Sequence, residues 1–251
     1  MTFKGTSSSI NSIKRYLKCS SESSALWKIQ WKSICSSTEI DLSSWIDDEP
    51  RIGPFRAIFA GKQLDGFGQN GRVWHSSLGG VWLSAAMPFP CVKSRPELMG
   101  LAIALSLSKR LESMNVPVKI KWPNDLIVYN RKLAGFLPRI ISRGKEIRFA
   151  RIGLGLNVVN KVPKEGIALK EIITTSDESL DFWSAETLLS LENAMRLMPS
   201  PSKICDQVEN RLWSKEYIEP NSGDIYNIKG LALDGSLIIN KGNYSKKLIR
   251  W

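Results

Sequence analysis

Apolar and polar positions alternate over many short stretches of this chain, while helical spacing comes in separate blocks. Residues 27–34 alternate loosely and predict a first strand; 55–60 and 81–87 predict two more, the latter stopped by Pro88 and Pro90. Residues 118–121, 126–129, 133–141 and 147–156 read as successive strands, with turns at Asn130-Arg131 and at 142–145. Helical spacing starts at Ser37-Thr38-Glu39 and runs through Trp45 and Ile46 to a stop before Pro50. A second helix is predicted from Ser94-Arg95-Pro96-Glu97, where Ser94 caps, Glu97 closes a capping box and Pro96 suits the first turn. Its apolar residues fall on two faces, Leu98-Leu101-Leu105 and Ile103-Leu107-Leu111, so it is expected to be buried on both sides. Residues 184–198 and 202–213 read as further helices, and 225–231 with 236–239 as a closing hairpin around Asp234-Gly235. Hairpins on one side and helices in blocks give an α+β class.

Residues 1–25 carry Ser, Lys and Thr with few large apolar groups, and read as a weakly ordered lead-in. The expected organisation is this extension, a main domain over 26–212 and a short β module over 213–251. With 251 residues, 43% of them hydrophobic, the chain can bury a full core. It has no apolar run of the roughly 20 residues that span a bilayer, and its start has no apolar stretch of the secretory kind. No membrane association is expected.

Charge adds one bias. There are 35 basic and 24 acidic residues, a net +11, which favours anionic partners without choosing among them. The cations are spread along the chain, with no basic arm for nucleic acid. Four scattered cysteines and the single His75 offer no zinc-type cluster, and point to a reducing, cytoplasmic setting.

Two segments carry candidate chemistry. Gly66-Phe67-Gly68-Gln69-Asn70-Gly71 matches the GxGxxG pattern of dinucleotide folds, but it runs into Gly79-Gly80 in place of a helix, and no acidic residue stands near position 90. What remains is a glycine loop whose backbone can approach an anion, with Arg72 and Lys62 beside it, or an ordinary surface loop. Further on, Lys121-Trp122-Pro123-Asn124-Asp125 joins two strands, and Arg131-Lys132-Leu133-Ala134-Gly135 follows after one strand and a turn. Both can face one pocket, supplying two point charges, an amide, a carboxylate and a glycine that lets a ligand reach the backbone. Joining a carboxylate to the α-phosphate of ATP needs such a lysine, because the two anions repel. Taken alone, a lysine after a turn is more often solvated surface.

These residues resemble the biotin–protein ligase family, in its form without an N-terminal DNA-binding domain. The resemblance rests on Lys121–Asp125 and Arg131–Gly135, and is supported by Gly71-Arg72-Val73-Trp74-His75-Ser76, Gly79 to Ser84, Gly153-Leu154-Gly155-Leu156-Asn157 and, more weakly, Ser36-Ser37-Thr38-Glu39, with Glu where the family has Asn. It covers roughly residues 30–160. It implies a mixed, largely antiparallel sheet with packed helices and a short, partial SH3-like C-terminal module. It implies that Lys132 is catalytic, and that Ser37, Thr38, Gln63, Gly66 and Gly135 bind biotin. Gly68, Gln69, Arg72, Trp74, Lys121, Asn124, Asp125 and Asn157 would serve the nucleotide. ATP would be the co-substrate, with Mg2+ bound mainly by its phosphates. A biotin carboxyl carrier protein, typically of acetyl-CoA carboxylase, would accept the biotin from biotinyl-5′-AMP. A homodimer is compatible with the family, and no nucleic-acid binding is expected.

The chain also departs from the pattern. The family's loop reads GRGRxG, and Phe67 and Gln69 replace both arginines, removing two phosphate-facing charges. About 38 residues follow Trp213, so at most part of a C-terminal barrel is expected. Three alternatives stand beside the ligase: a lipoate- or octanoate-transferring relative, whose RRxSGGG stretch is absent; a non-catalytic biotin- or nucleotide-binding relative; and a nucleic-acid module suggested by charge alone.

Overall fold

A computed structural model describes residues 9–50, 53–89, 95–144, 146–173 and 179–249. The chain forms one seven-stranded sheet, one four-stranded sheet and five helices among these residues. The large sheet contains β1 (Trp27–Cys35), β2 (Phe55–Gln63), β3 (Val81–Met87), β4 (Lys119–Lys121), β5 (Asp125–Val128), β6 (Arg131–Arg143) and β7 (Glu146–Leu156), in the order β1-β2-β3-β7-β6-β5-β4. Only β1 and β2 run parallel, so the sheet is mixed and largely antiparallel.

The α+β class holds, with differences at the edges. β2 runs on through Gly61-Lys62-Gln63, beyond the apolar stretch that signals it. The lead-in is not weakly ordered where it is described: Ile10–Cys19 is a helix, α1, with Ile13 and Leu17 buried. The segment after it is pinned by buried Glu192, which accepts from Ser24 N (2.9 Å), Ala25 N (3.2 Å), Ser23 Oγ (3.0 Å) and Trp27 Nε1 (2.8 Å). The predicted cap at Ser94, and Pro90, lie outside the described residues. Among the described residues, a single 3₁₀ turn at Pro96–Leu98 leads into α3 (Met99–Glu112), buried on both sides as its two apolar faces require.

α3, α4 (Leu180–Leu197) and α1 pack side by side on one face of the sheet, α3 against β4, β5 and β6, α4 against β3 and α1 against β1. One continuous core fills that side, built from residues such as Phe59, Leu83, Ile103, Leu105 and Trp183. α2 (Thr38–Asp48) covers part of the opposite face through a smaller cluster of Leu42, Trp45, Ile58, Ala86 and Phe149.

The helix expected to reach residue 213 ends early, as α5 (Pro201–Glu209). The chain beyond it joins the sheet edge: Ile120 N donates to Arg211 O at 2.8 Å and Trp213 N to Ile120 O at 2.9 Å. The hairpin at Asp234-Gly235 gains two partners, so that β8 (Glu216–Ile218), β9 (Ile225–Leu231), β10 (Leu237–Lys241) and β11 (Tyr244–Leu248) form an antiparallel sheet in the order β11-β10-β9-β8. No helix among the described residues is long and apolar enough to cross a membrane.

Candidate active site

The face of the large sheet that α2 leaves open is organised by register. Alternation sends Ile58, Ser84, Gly153 and Leu137 to this face as one cross-strand row, and Ala60, Trp82, Gly155 and Gly135 as the next. The rows lie about 7 Å apart, two residues of strand. Glycine at 153, 155 and 135 leaves the sheet floor bare, and a cleft of about 160 Å³ opens over it. Three elements close the cleft: the start of α2, the hairpin arm after β2, and the β4–β5 turn.

Ser37 caps α2 in extended geometry, its side chain accepting from Glu39 N at 3.3 Å. Thr38 and Gln63 are locked together, Gln63 Oε1 accepting from Thr38 N at 2.8 Å and Thr38 Oγ1 at 3.0 Å. Gln63 Nε2 donates to Ser76 Oγ at 2.8 Å, and Thr38 Oγ1 lies 2.8 Å from Ser84 Oγ. Cys35, just before this turn, is no nucleophile at neutral pH: burial and neighbouring Asp41 push its thiol up to about 11.

The glycine stretch is an antiparallel arm and not an irregular loop. Trp74 N donates to Gly66 O at 2.8 Å and Gly68 N to Arg72 O at 2.7 Å, with a turn at Gln69–Gly71. Gly66 does not line the cleft, contrary to expectation. A Cβ there would lie 2.7 Å from Ser76 Oγ and 2.8 Å from Trp74 O, so its role is to let the arm close. Gly68, Gln69 and Arg72 do line the cleft, as does Phe67, whose ring lies 5.9 Å from the Arg139 guanidinium.

Lys132 reaches the site through a β-bulge. Asp125 pairs with Gly135 and Leu126 with Ala134, but Ile127 pairs with Lys132, which leaves Leu133 as the extra residue. The bulge turns Lys132 to the side of Gly135 and Asp125, where simple alternation would point it away. Lys132 Nζ lies 2.7 Å from Asp125 Oδ1 and 4.7 Å from the centre of the Trp74 ring. The backbone is held from both sides, Lys132 N donating to Glu165 O at 2.8 Å and Ile167 N to Lys132 O at 3.0 Å. Asn157 lies outside the cleft lining; it is buried and donates to Lys132 O at 3.2 Å, so it positions the lysine strand.

Trp74 lies on the bare floor, where a Cβ on Gly155 would come within 2.5 Å of its indole. Its Nε1 is buried without a hydrogen-bond partner among the described residues. Lys121 and Asn124 stand at the other end, Lys121 Nζ over the Trp213 ring at 5.2 Å and Asn124 donating to Phe136 O. The cleft therefore brings together twelve of the residues singled out in the sequence: Ser37, Thr38, Gln63, Gly68, Gln69, Arg72, Trp74, Lys121, Asn124, Asp125, Lys132 and Gly135. His75 is exposed and does not line it. Ser84, Gly153 and Glu39 stood in the sequence motifs without a role, and Arg151 was passed over; the pair Glu39–Arg151 is 3.2 Å apart beside the row of Ser84 and Gly153.

Residues 54–157, which carry the bare floor, the arm and the lysine bulge, match the model of the Biotin/lipoate A/B protein ligase family. This segment belongs to that family. Among similar proteins is the bifunctional ligase/repressor BirA of Bacillus subtilis, 34% identical over 127 residues, covering 49% of this chain and 38% of the relative. The chain thus spans well under half the length of that relative. Similar solved structures include a biotin protein ligase from Aquifex aeolicus in complex with biotin and ATP, with a TM-score of 0.70 and 22% identity over 89% of this chain and 96% of that one. Another is the biotin acetyl coenzyme A carboxylase synthetase from Helicobacter pylori with bound biotinylated ATP, with a TM-score of 0.60 and 18% identity over 88% of this chain and 100% of that one. These neighbours share the fold over most of this chain.

Proposed function

We propose that the protein is an ATP-dependent biotin–protein ligase that modifies a lysine of a biotin carboxyl carrier protein, such as that of acetyl-CoA carboxylase. The observation that carries this reading is the bulge-directed Lys132 at one end of a bare-floored cleft whose other end is a hydroxyl and amide cluster. Such a cluster suits a ureido ring, and the lysine suits the carboxylate about one row away.

In the first step a carboxylate oxygen of biotin attacks the α-phosphorus of ATP, and the bond to pyrophosphate breaks. Lys132 offsets the repulsion between the two anions, and Arg72, Lys121 and the backbone of Gly68 and Gln69 face the phosphates. Asn124 and Trp74 hold the nucleotide side. Asp125 is the carboxylate that could take one position on a nucleotide-bound Mg2+, which would neutralise phosphate charge. In the second step the carrier's amine attacks the acyl carbon, the bond to AMP breaks, and the amine proton leaves to solvent.

Incubation with biotin, MgATP and a carrier domain should raise the carrier's mass by one biotinyl group. Transfer of lipoate in place of biotin would move the reading to the family's other branch, and no transfer with ligand still bound would make the protein a binding relative.

A further inference from the structure

We propose that Glu39 is a specificity-determining residue whose free carboxylate oxygen accepts an N–H from the head ring of the bound acid. This rests on the biotin reading and names the contact that makes a ring N–H necessary. Glu39 stands in the first turn of α2, lines the cleft and is 6% exposed. One edge of its carboxylate is fixed: Oε2 lies 3.2 Å from an Arg151 nitrogen that also donates to the Glu39 carbonyl at 2.8 Å. Arg151 is itself steadied by a 2.9 Å bond to Ser43 Oγ. The other oxygen, Oε1, is buried and has no hydrogen-bond partner among the described residues. It lies 3.5 Å from the position a Cβ would take on Gly153, and so over the bare floor.

An unsatisfied buried carboxylate oxygen is costly, and a ligand donor removes that cost. The neighbouring groups are already engaged. Gln63 Oε1 accepts two bonds from Thr38, Gln63 Nε2 serves Ser76, and Thr38 Oγ1 is shared with Ser84. Ser37 Oγ accepts from Glu39 N and keeps its proton for a ligand carbonyl. Glu39 Oε1 is then the acceptor left open to a ring N–H. The related motif has asparagine here, which can present either a donor or an acceptor; glutamate held by an arginine presents only an acceptor.

The test is calorimetric binding of biotin and its two mono-N-methylated ureido forms to the unaltered protein and to Glu39→Gln. In Glu39→Gln the amide oxygen turns to Arg151, and its NH2 then faces the ring N–H. Biotin should bind on the order of 10–100-fold more weakly to the variant, the range of one lost charge-assisted bond. The unaltered protein should reject one N-methyl form by a similar factor, and that gap should shrink in the variant. Equal binding of biotin by both proteins, with the N-methyl gap unchanged, would overturn the proposal and leave the biotin reading intact. If the variant does not fold, equal binding of biotin and both N-methyl forms by the unaltered protein overturns it just as well. Failure of biotin to bind the unaltered protein would overturn the functional reading and this proposal together.

Discussion

Removing the Lys132 ammonium tests the proposed catalytic end of the cleft directly. Its Nζ sits 2.7 Å from Asp125 and 4.7 Å from the Trp74 ring centre, on a backbone held from both sides. A cation about 4 Å from a developing negative charge contributes roughly 4 kcal/mol at an effective dielectric of about 20. The side chain is 35% exposed, so solvent screens part of this. About 3 kcal/mol remains, or roughly 10²-fold in rate, at the lower end of what one such electrostatic contact contributes. Lys132→Ala should therefore slow biotin-dependent exchange between ATP and pyrophosphate by about that factor. Biotin affinity without ATP should change far less, because the ring end of the cleft is built from other residues. Lys132→Arg should not restore the rate: Nζ already lies 3.0 Å from where a Cβ on Gly135 would stand, and a guanidinium is bulkier and planar. Exchange at the parent rate in Lys132→Ala would refute the assignment.

Gly155→Ala should displace Trp74, since the new Cβ would fall 2.5 Å from its indole while β3 and β6 hold the backbone; a shift in tryptophan emission and slower exchange are expected, and an unchanged spectrum would contradict this. Gln69→Arg returns one charge to the arm, and charge-assisted bonds are about twice as strong as neutral ones, so preformed biotinyl-5′-AMP should leave more slowly in a single-turnover release assay. Glu192→Ala strands the donors of residues 23–27 and should cost about 3 kcal/mol, a fall in Tm of roughly 6–12 °C for a chain of this size. The Cys205 thiol is pushed up to about 11, chiefly by burial and then by nearby Glu209; alkylation at pH 8 should modify exposed Cys19 well before Cys205 or Cys35.

What the sequence made legible follows the range of the forces involved. Strands with one buried face announce themselves by alternation, and α3 by its two apolar faces, because those signals are local. The spacing Ile10, Ile13, Leu17 carried the helical signal for α1 as well, but the surrounding Ser and Lys obscured it. The lysine bulge was invisible for a different reason. It depends on which residue of β5 faces which residue of β6, and no pattern within either strand encodes the slip at Leu133. Gly66 read as a pocket residue because its motif is written in sequence order, whereas in space the arm folds back and Gly66 meets Trp74 and Ser76. The partner of Glu39 lies 112 positions away, so the substitution could be noticed in the sequence but not interpreted.

The two ends of the cleft are supported by different parts of the molecule. The end proposed for the ring depends on α2 and β2, through Ser37, Thr38, Glu39 and Gln63. The end at Lys121–Asp125, proposed for the nucleotide, is clamped from the C-terminal side: Trp122 Nε1 donates to Gly235 O at 2.9 Å in the β9–β10 turn, and Trp213, leading into β8, lies against Lys121. Gly235 has a φ of +82°, and a Cβ there would press to 3.0 Å on Leu98 at the start of α3, so the turn is seated against both the core helix and the lysine-bearing motif. A side chain at 235 would be strained in that left-handed conformation and would push the turn off Trp122. Disturbance of the small sheet should therefore reach the Lys121–Asp125 side of the cleft through Trp122 and Lys121, while the hydroxyl and amide cluster, anchored on the far side of the floor, keeps its geometry.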